Sequence, residues 1–221
     1  MELKKIADEM QPRTMAARDW VFQVIRTAIV RGVLPGGMPL RQDEISAALS
    51  VSHIPVREAF RQLEAQGLVR IYPNRGAVVT KLSKEEIANI MDTRIMLELG
   101  AIRAALPHIT PETLNEAQSI IDKSVVESDQ HKLEDLNLQF HMTLYAPSNN
   151  AVLLQLIDQL HANVDRYIRQ FYTITDRQEK SITDHRKIIE ACRKKDIVLV
   201  DAVLRTHLET ARSLLMDLPN L

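Results

Sequence analysis

Apolar positions recur every three or four residues along nearly the whole chain, and only one short region breaks into strand-like alternation. Trp20, Val21, Val24, Ile25 and Ala28 define one face of a helix over residues 17–31. The run Gly32-Val-Leu-Pro-Gly-Gly-Met-Pro39 breaks it with three glycines and two prolines. A shorter helix follows at 42–49, with Ile45, Ala48 and Leu49 inward. Residues 51–69 then read as a third helix entered through a polar turn. Ser52 stands as its N-cap, with a hydroxyl able to accept from a free amide of the first turn. Pro55 falls in that first turn, where a missing N–H costs nothing. Val56, Phe60 and Leu63 face a core, while Arg57 and Arg61 share another face, four residues apart. Gly67 closes the helix at a position that tolerates a left-handed backbone.

Leu68 to Tyr72 alternates like a strand, Pro73-Asn-Arg-Gly76 is turn chemistry, and Ala77 to Lys81 returns as a second strand. Three helices and a hairpin predict a winged helix-turn-helix over residues 1–82. Its third helix carries Ser52, His53 and Arg57 at the leading end and an apolar back, with Pro55 in the entry and Arg61 one turn on. Such a helix suits a DNA major groove, where arginine pairs with guanine edges. The wing tip, Asn74, Arg75 and Gly76, is placed to reach phosphate or the minor groove.

From Ser83 onward the pattern is helical throughout. Ser83-Lys-Glu-Glu86 is a capping box, followed by Ile87, Ile90, Met91, Arg94, Ile95 and Leu97 on a long helix that Pro107 ends. Thr110-Pro111 caps and opens the next. Further helices are predicted at 111–127, 130–146, 150–172, 178–194 and 196–217. The fold class is therefore mainly α, with the N-terminal winged helix-turn-helix followed by an antiparallel bundle of six helices over residues 83–221.

Net charge changes the picture because it is divided. The whole chain of 221 residues carries −1, but residues 11–82 hold 10 Lys and Arg against 5 Asp and Glu, and residues 83–221 hold 16 against 21. A basic head on an acidic body puts phosphate-seeking charge where the helix-turn-helix lies, although such an excess is common over 72 residues. A hydrophobic content of 45% is enough to fill a core. The lone Cys192 excludes an intrachain disulfide framework and reads as structural. With neither a signal-peptide pattern nor a run long enough to span a bilayer, a soluble, cytoplasmic protein is expected, with no membrane partner.

Histidines are the candidate chemistry of the bundle. Asn137 and His141 share a helix face, and His185 and His207 lie on two later helices. Three imidazoles from three helices can converge on a metal, though a helical histidine is more often a polar residue at an edge. His108, His131 and His161 fit no pattern and read as solvated. Arg94, four residues before Glu98, reads by spacing as a salt-bridged surface pair.

The segments Leu34-Pro-Gly-Gly37, Val51-Ser52, Pro55-Val-Arg-Glu-Ala59, Leu63-Glu64, Gly67-Leu-Val69 and Pro73-Asn-Arg-Gly-Ala77 resemble the GntR family of bacterial transcription regulators. The continuation Thr93-Arg-Ile-Met-Leu-Glu98 resembles its FadR subfamily, which carries an FCD ligand-binding domain. The resemblance implies a homodimeric, ligand-responsive regulator, with repressor the favoured mode, in which each winged helix reads half of a double-stranded operator. It further implies a metal site of an Asp and a His four apart on one helix, joined by single histidines on two later helices. His141, His185 and His207 match three of those positions, and Asn137 stands where the Asp would be. A neutral amide is a poorer ligand than a carboxylate, so the site would hold a divalent metal more weakly, or an organic anion with little metal. Imidazole favours Zn, Ni or Co over Mg. The same resemblance puts Arg94 at the effector pocket, gripping a small carboxylate bidentately. Tyr145, one turn after His141, is a further candidate for its lining by position alone. Relatives usually carry Arg where this chain has His53. Two other readings stay open, a metal-dependent enzyme with a DNA-binding head and an architectural DNA binder. Effector, operator sequence, the choice between repression and activation, and whether and which metal binds are beyond the residues alone.

Overall fold

A computed structural model describes residues 2–10, 15–73, 76–171 and 174–218. Its elements in chain order are α1 (Glu2–Glu9), α2 (Ala17–Val30), β1 (Pro39–Leu40), α3 (Gln42–Leu49), α4 (His53–Ala65), β2 (Val69–Tyr72), β3 (Gly76–Val79), α5 (Lys84–Ala105), α6 (Pro111–Val126), α7 (Gln130–Tyr145), α8 (Ala151–Phe171), α9 (Ile174–Arg193) and α10 (Ile197–Met216). They divide into two compact units, Met1–Leu82 and Ser83–Leu221.

The first unit is a winged helix-turn-helix. Val56, Ala59, Phe60 and Leu63 of α4 pack with Val21, Val24, Ile25, Ala28 and Ile29 of α2 in one core. Each fully buried large side chain among them contributes about 1.5–3 kcal/mol. Gly67 follows α4 with φ +74°, and the Leu68 amide closes the turn on the Leu63 carbonyl at 3.0 Å. Strand order is β1-β3-β2, all antiparallel, with Val69 opposite Val79 and Leu40 opposite Ala77. Gly76 starts β3 at φ +75°, and a Cβ there would meet the Leu40 carbonyl at 3.0 Å. Backbone geometry therefore requires glycine at this position.

Sequence and structure differ in four places here. Pro39 closes what reads as a pure breaker segment, yet together with Leu40 it adds an edge strand. Helix α1 is too short to show a repeat, and tertiary contact holds it: Ile6 and Ala7 enter the core, Trp20 Nε1 donates to the Met10 carbonyl, and Arg31 pairs with Glu9 at 2.8 Å. Ser46, not Ala48, is buried on α3. Ser52 does occupy the N-cap of α4, but its side chain makes no capping hydrogen bond.

The second unit is the six-helix bundle α5–α10, whose core runs from Ile95, Leu99 and Ile102 of α5 through Phe140, Leu144 and Tyr145 of α7 to Ile188 and Ile189 of α9 and Leu204 and Leu208 of α10. Ser83 and Glu86 form the capping box, and Thr110 caps α6 with Pro111 in its first turn. Asp129 and Asp196 cap α7 and α10 through their carboxylates. Helix α5 packs against α7, α8 and α10, and α9 packs against α6 and α10. Two cross-helix arginine pairs, Arg103 with Asp201 and Arg212 with Asp92, fix α10 along α5. Helix α9 begins at Ile174, four residues earlier than its apolar periodicity predicts.

Candidate functional site

The exposed face of α4 carries the residues expected to meet DNA. Ser52, His53, Arg57 and Arg61 are all exposed, and Pro55 is half-buried in the first turn. His53 Nδ1 stands 3.4 Å from a carboxylate oxygen of Asp43 on α3, so an acid orients this ring. The Glu64 carboxylate accepts from the Ile71 amide at 2.7 Å and ties α4 to the wing strand. Ile54 is 59% exposed at the leading end of α4. An exposed isoleucine leaves no periodic signal in the sequence, yet an apolar group there can touch a thymine methyl. Asn74 and Arg75 lie outside the described residues.

In the bundle, α7, α9 and α10 bring His141, His185 and His207 together. Their ring centroids lie 5.0 Å apart for His141 and His185, 5.2 Å for His141 and His207, and 4.9 Å for His185 and His207. One ring nitrogen from each lies within 4.8 Å of the others. Phe140 stacks on His185 at 4.1 Å and fixes its plane. His185 Nε2 is buried with no hydrogen-bond partner, which costs free energy unless something ligates it. Burial, with the neighbouring histidines, holds His141 well below the ordinary imidazole value, and burial with His207 does the same to His185. Both rings are therefore neutral at physiological pH, the form a metal requires. The cluster fits a divalent cation.

Beside it lies a cavity of about 50 Å³, counted as space open to the centre of a water molecule. A single water needs roughly 10–15 Å³ on that scale, so the cavity has room for a few waters or a small acid. Arg94, His141 and His207 line it, and so does Asn137, which is half-buried one turn before His141. Lys180 adds a second cation to the lining, and Asp184 adds an acid whose carboxylate stands 3.9 Å from His207 Nδ1. His207 and Lys187 hold the Asp184 carboxyl down at about 2, so it is ionised.

Several expectations are revised here. His161 is buried and lines the cavity, not solvated; it stands in a stripe with Ile157, Val164 and Ile168, and that spacing is the signal that marks it as inward. His131 is half-buried, whereas His108 is exposed as expected. Arg94 and Glu98 form a buried pair, Nε to Oε1 at 2.9 Å, rather than a surface one. That bond occupies Nε, and Nη1 also donates to Met91 Sδ at 3.6 Å, so among the described contacts Nη2 is the guanidinium nitrogen left for a ligand. Tyr145 is not among the cavity-lining residues. It lies fully buried behind His141, with its hydroxyl bonded to Glu98 at 2.9 Å. Cys192 is buried and its thiol is pushed up to about 11 by desolvation, which makes it unreactive.

A basic winged helix-turn-helix joined to a helical bundle with an internal histidine-lined cavity defines a ligand-responsive transcription regulator. Comparison with known proteins makes the assignment particular. Residues 17–79 match the model for bacterial regulatory proteins of the gntR family, and residues 89–210 match the FCD domain. The HTH-type transcriptional repressor RspR of Escherichia coli K12 is 28% identical over 199 residues, 89% of this chain and 87% of that protein. A GntR-family regulator structure from Pseudomonas syringae pv. tomato is 31% identical, covering 96% of this chain and 91% of that one, with a TM-score of 0.53. E. coli McbR/YncC shares the fold, with a TM-score of 0.82 at 22% identity over 91% of this chain and 98% of that one. The chain belongs to the GntR family of transcription regulators, in the group that carries an FCD domain. The names of its relatives are those of DNA-binding regulators and not of enzymes. No described helix is long and apolar enough to cross a membrane.

Proposed function

We propose that this regulator is a homodimeric repressor released from its operator by a small organic acid, bound in the bundle cavity next to a divalent metal on His141, His185 and His207. The observation that carries the reading is the convergence of three buried imidazoles, one with an orphaned Nε2, beside Arg94 in a cavity sized for a small acid. The metal, when bound, supplies a positive charge that draws a carboxylate; Zn, Ni or Co suits imidazole ligands. Arg94 presents its guanidinium charge to the same carboxylate, chiefly through Nη2, and Lys180 adds charge at the cavity. Asn137 is a weak fourth ligand, being an amide where a carboxylate binds better.

On DNA, Arg57 reads a base edge, guanine by preference, and Ser52, Arg61 and Arg75 hold the backbone. His53 and Ile54 contribute the rest of the readout at the leading end of α4. Two copies would address half-sites about 34 Å apart, one helical turn of DNA. Effector binding biases the bundle toward a state that holds the two heads at a spacing the operator does not match.

The test is fluorescence anisotropy on DNA from upstream of the protein's own gene, with zinc-loaded and chelator-treated protein, titrated with a panel of small mono- and dicarboxylates. At least one acid should weaken operator binding by fivefold or more, consistent with usual coupling energies of about 1–3 kcal/mol, and Arg94→Ala should abolish that response without changing effector-free DNA affinity. Operator binding indifferent to every acid and to chelation would overturn the proposal.

A further inference from the structure

Behind the cavity wall runs a hydrogen-bonded chain of four buried side chains. Arg94 Nε donates to Glu98 Oε1 at 2.9 Å, the Tyr145 hydroxyl donates to Glu98 Oε2 at 2.9 Å, and Tyr145 Oη stands 3.3 Å from His141 Nδ1. Exposure is 4% for Arg94, 1% for Glu98, 0% for Tyr145 and 3% for His141. Proton counting decides the direction of the last bond. A carboxylate can only accept, so the one proton of the Tyr145 hydroxyl is committed to Glu98. The phenol oxygen then has only lone pairs left to offer, and His141 Nδ1 must be the donor. A neutral imidazole has a single N–H, which leaves Nε2 as a bare lone pair.

We infer that Glu98, acting through Tyr145, is a positioning residue that fixes His141 as its Nδ1–H tautomer and aims Nε2 at the metal. The inference rests on the three-histidine metal reading above, and it gives roles to two residues outside the cavity. Outer partners of this kind set both the orientation and the basicity of a ligating imidazole. Arg94 holds the far end of the same chain and also lines the cavity. The acid-binding cation and a metal-binding histidine are thus parts of one connected network, and what one binds is felt by the other. Asp184 makes the corresponding approach to His207 Nδ1, at the longer distance of 3.9 Å.

The experiment uses full-length, chelator-treated protein labelled with nitrogen-15. Long-range proton–nitrogen spectra of the imidazoles report the His141 tautomer without metal, and competition against a chromogenic chelator reports zinc affinity. Wild type should show Nδ1–H at His141. Tyr145→Phe keeps the ring and removes the hydroxyl; His141 should become a tautomer mixture and zinc affinity should fall roughly 10–100-fold. Glu98→Gln, whose amide cannot accept from Arg94 and Tyr145 as a carboxylate does, should give a smaller loss in the same direction and stands in if Tyr145→Phe does not fold. His207→Ala should lose zinc but keep the His141 tautomer. A wild-type His141 protonated at Nε2, or a Tyr145→Phe protein with unchanged tautomer and zinc affinity within twofold of wild type, overturns the inference. Wild type with the Nδ1–H tautomer but no zinc binding would sink the metal reading and leave the positioning role standing.

Discussion

Replacing Glu98 with leucine strands Arg94 as a charge without a counter-ion inside the bundle. The pair is 4% and 1% exposed and makes a 2.9 Å contact, so water cannot replace the lost carboxylate. Removing one member of such a pair costs about 3–5 kcal/mol, because the survivor stays buried and uncompensated. Tyr145 loses its acceptor as well, worth about 1–3 kcal/mol on its own and partly shared with the first cost. We expect a loss of about 4 kcal/mol, which a domain stable by about 5–15 kcal/mol can survive. At roughly 2–4 °C per kcal/mol for a chain of this length, the bundle should melt about 10 °C lower. The double variant Arg94→Met/Glu98→Leu removes both charges at similar volume and should recover most of the loss, since apolar replacement of a buried pair is often neutral. Urea unfolding followed by far-UV circular dichroism measures it. Trp20, the only tryptophan, lies in the 1–82 unit, so its fluorescence follows that unit separately. A cost below about 1 kcal/mol for Glu98→Leu, or a double variant no more stable than the single one, would refute the reasoning.

Arg57→Ala should cost about 1–3 kcal/mol on operator and less on random DNA, whereas Arg75→Ala should weaken both alike; equal losses for Arg57→Ala in anisotropy titrations would count against base readout. Asn137→Asp should tighten zinc binding in chelator competition, because it adds a charged oxygen one turn from His141, and an unchanged affinity would mean that this side chain does not reach the metal. The apo protein should lose stability as pH falls below about 6.5, the ordinary histidine value. His141 and His185 are depressed in the folded state, so below that pH the unfolded chain binds more protons, and each histidine contributes a slope approaching 1.4 kcal/mol per pH unit in about that window. Urea midpoints at about pH 7.5 and about pH 5.5 check this, and His185→Gln should flatten the slope.

Much of this fold is legible because its helices are long, well capped and amphipathic. Ser83-Lys-Glu-Glu86 and Thr110-Pro111 mark helix starts that capping chemistry dictates locally, and both appear in the structure as read. Elements whose existence depends on distant partners are not legible in this way. Two residues, Pro39 and Leu40, become a strand only because β3 offers its free edge beside them. Helix α1 has eight residues, too few to be stable alone, and stands because Ile6 and Ala7 find the core of the first unit. The start of α9 is not legible for the opposite reason, since residues 174–177 are helical without the apolar spacing that would announce it.

The site divides along the same line. Histidines on three helices can be nominated from spacing and resemblance, but whether they meet depends on helix rotations that a periodic pattern specifies only loosely. Glu98 shows where reading residue by residue stops. An Arg and a Glu four apart on a helix are, by spacing alone, a solvated pair, and nothing local to α5 says that Tyr145, 47 positions further on, will bring its hydroxyl to the second carboxylate oxygen. Burial reverses the meaning of the pair. In water it would be worth little. In the core its polar atoms need partners, and the second carboxylate oxygen finds one by extending through Tyr145 to His141. The same desolvation that makes Glu98 costly to remove makes it directional, because a carboxylate with two fixed donors dictates where the next proton in the chain can sit. If the proposed metal site holds, the Tyr145–Glu98 chain gives His141 a means of orientation whatever Asn137 contributes.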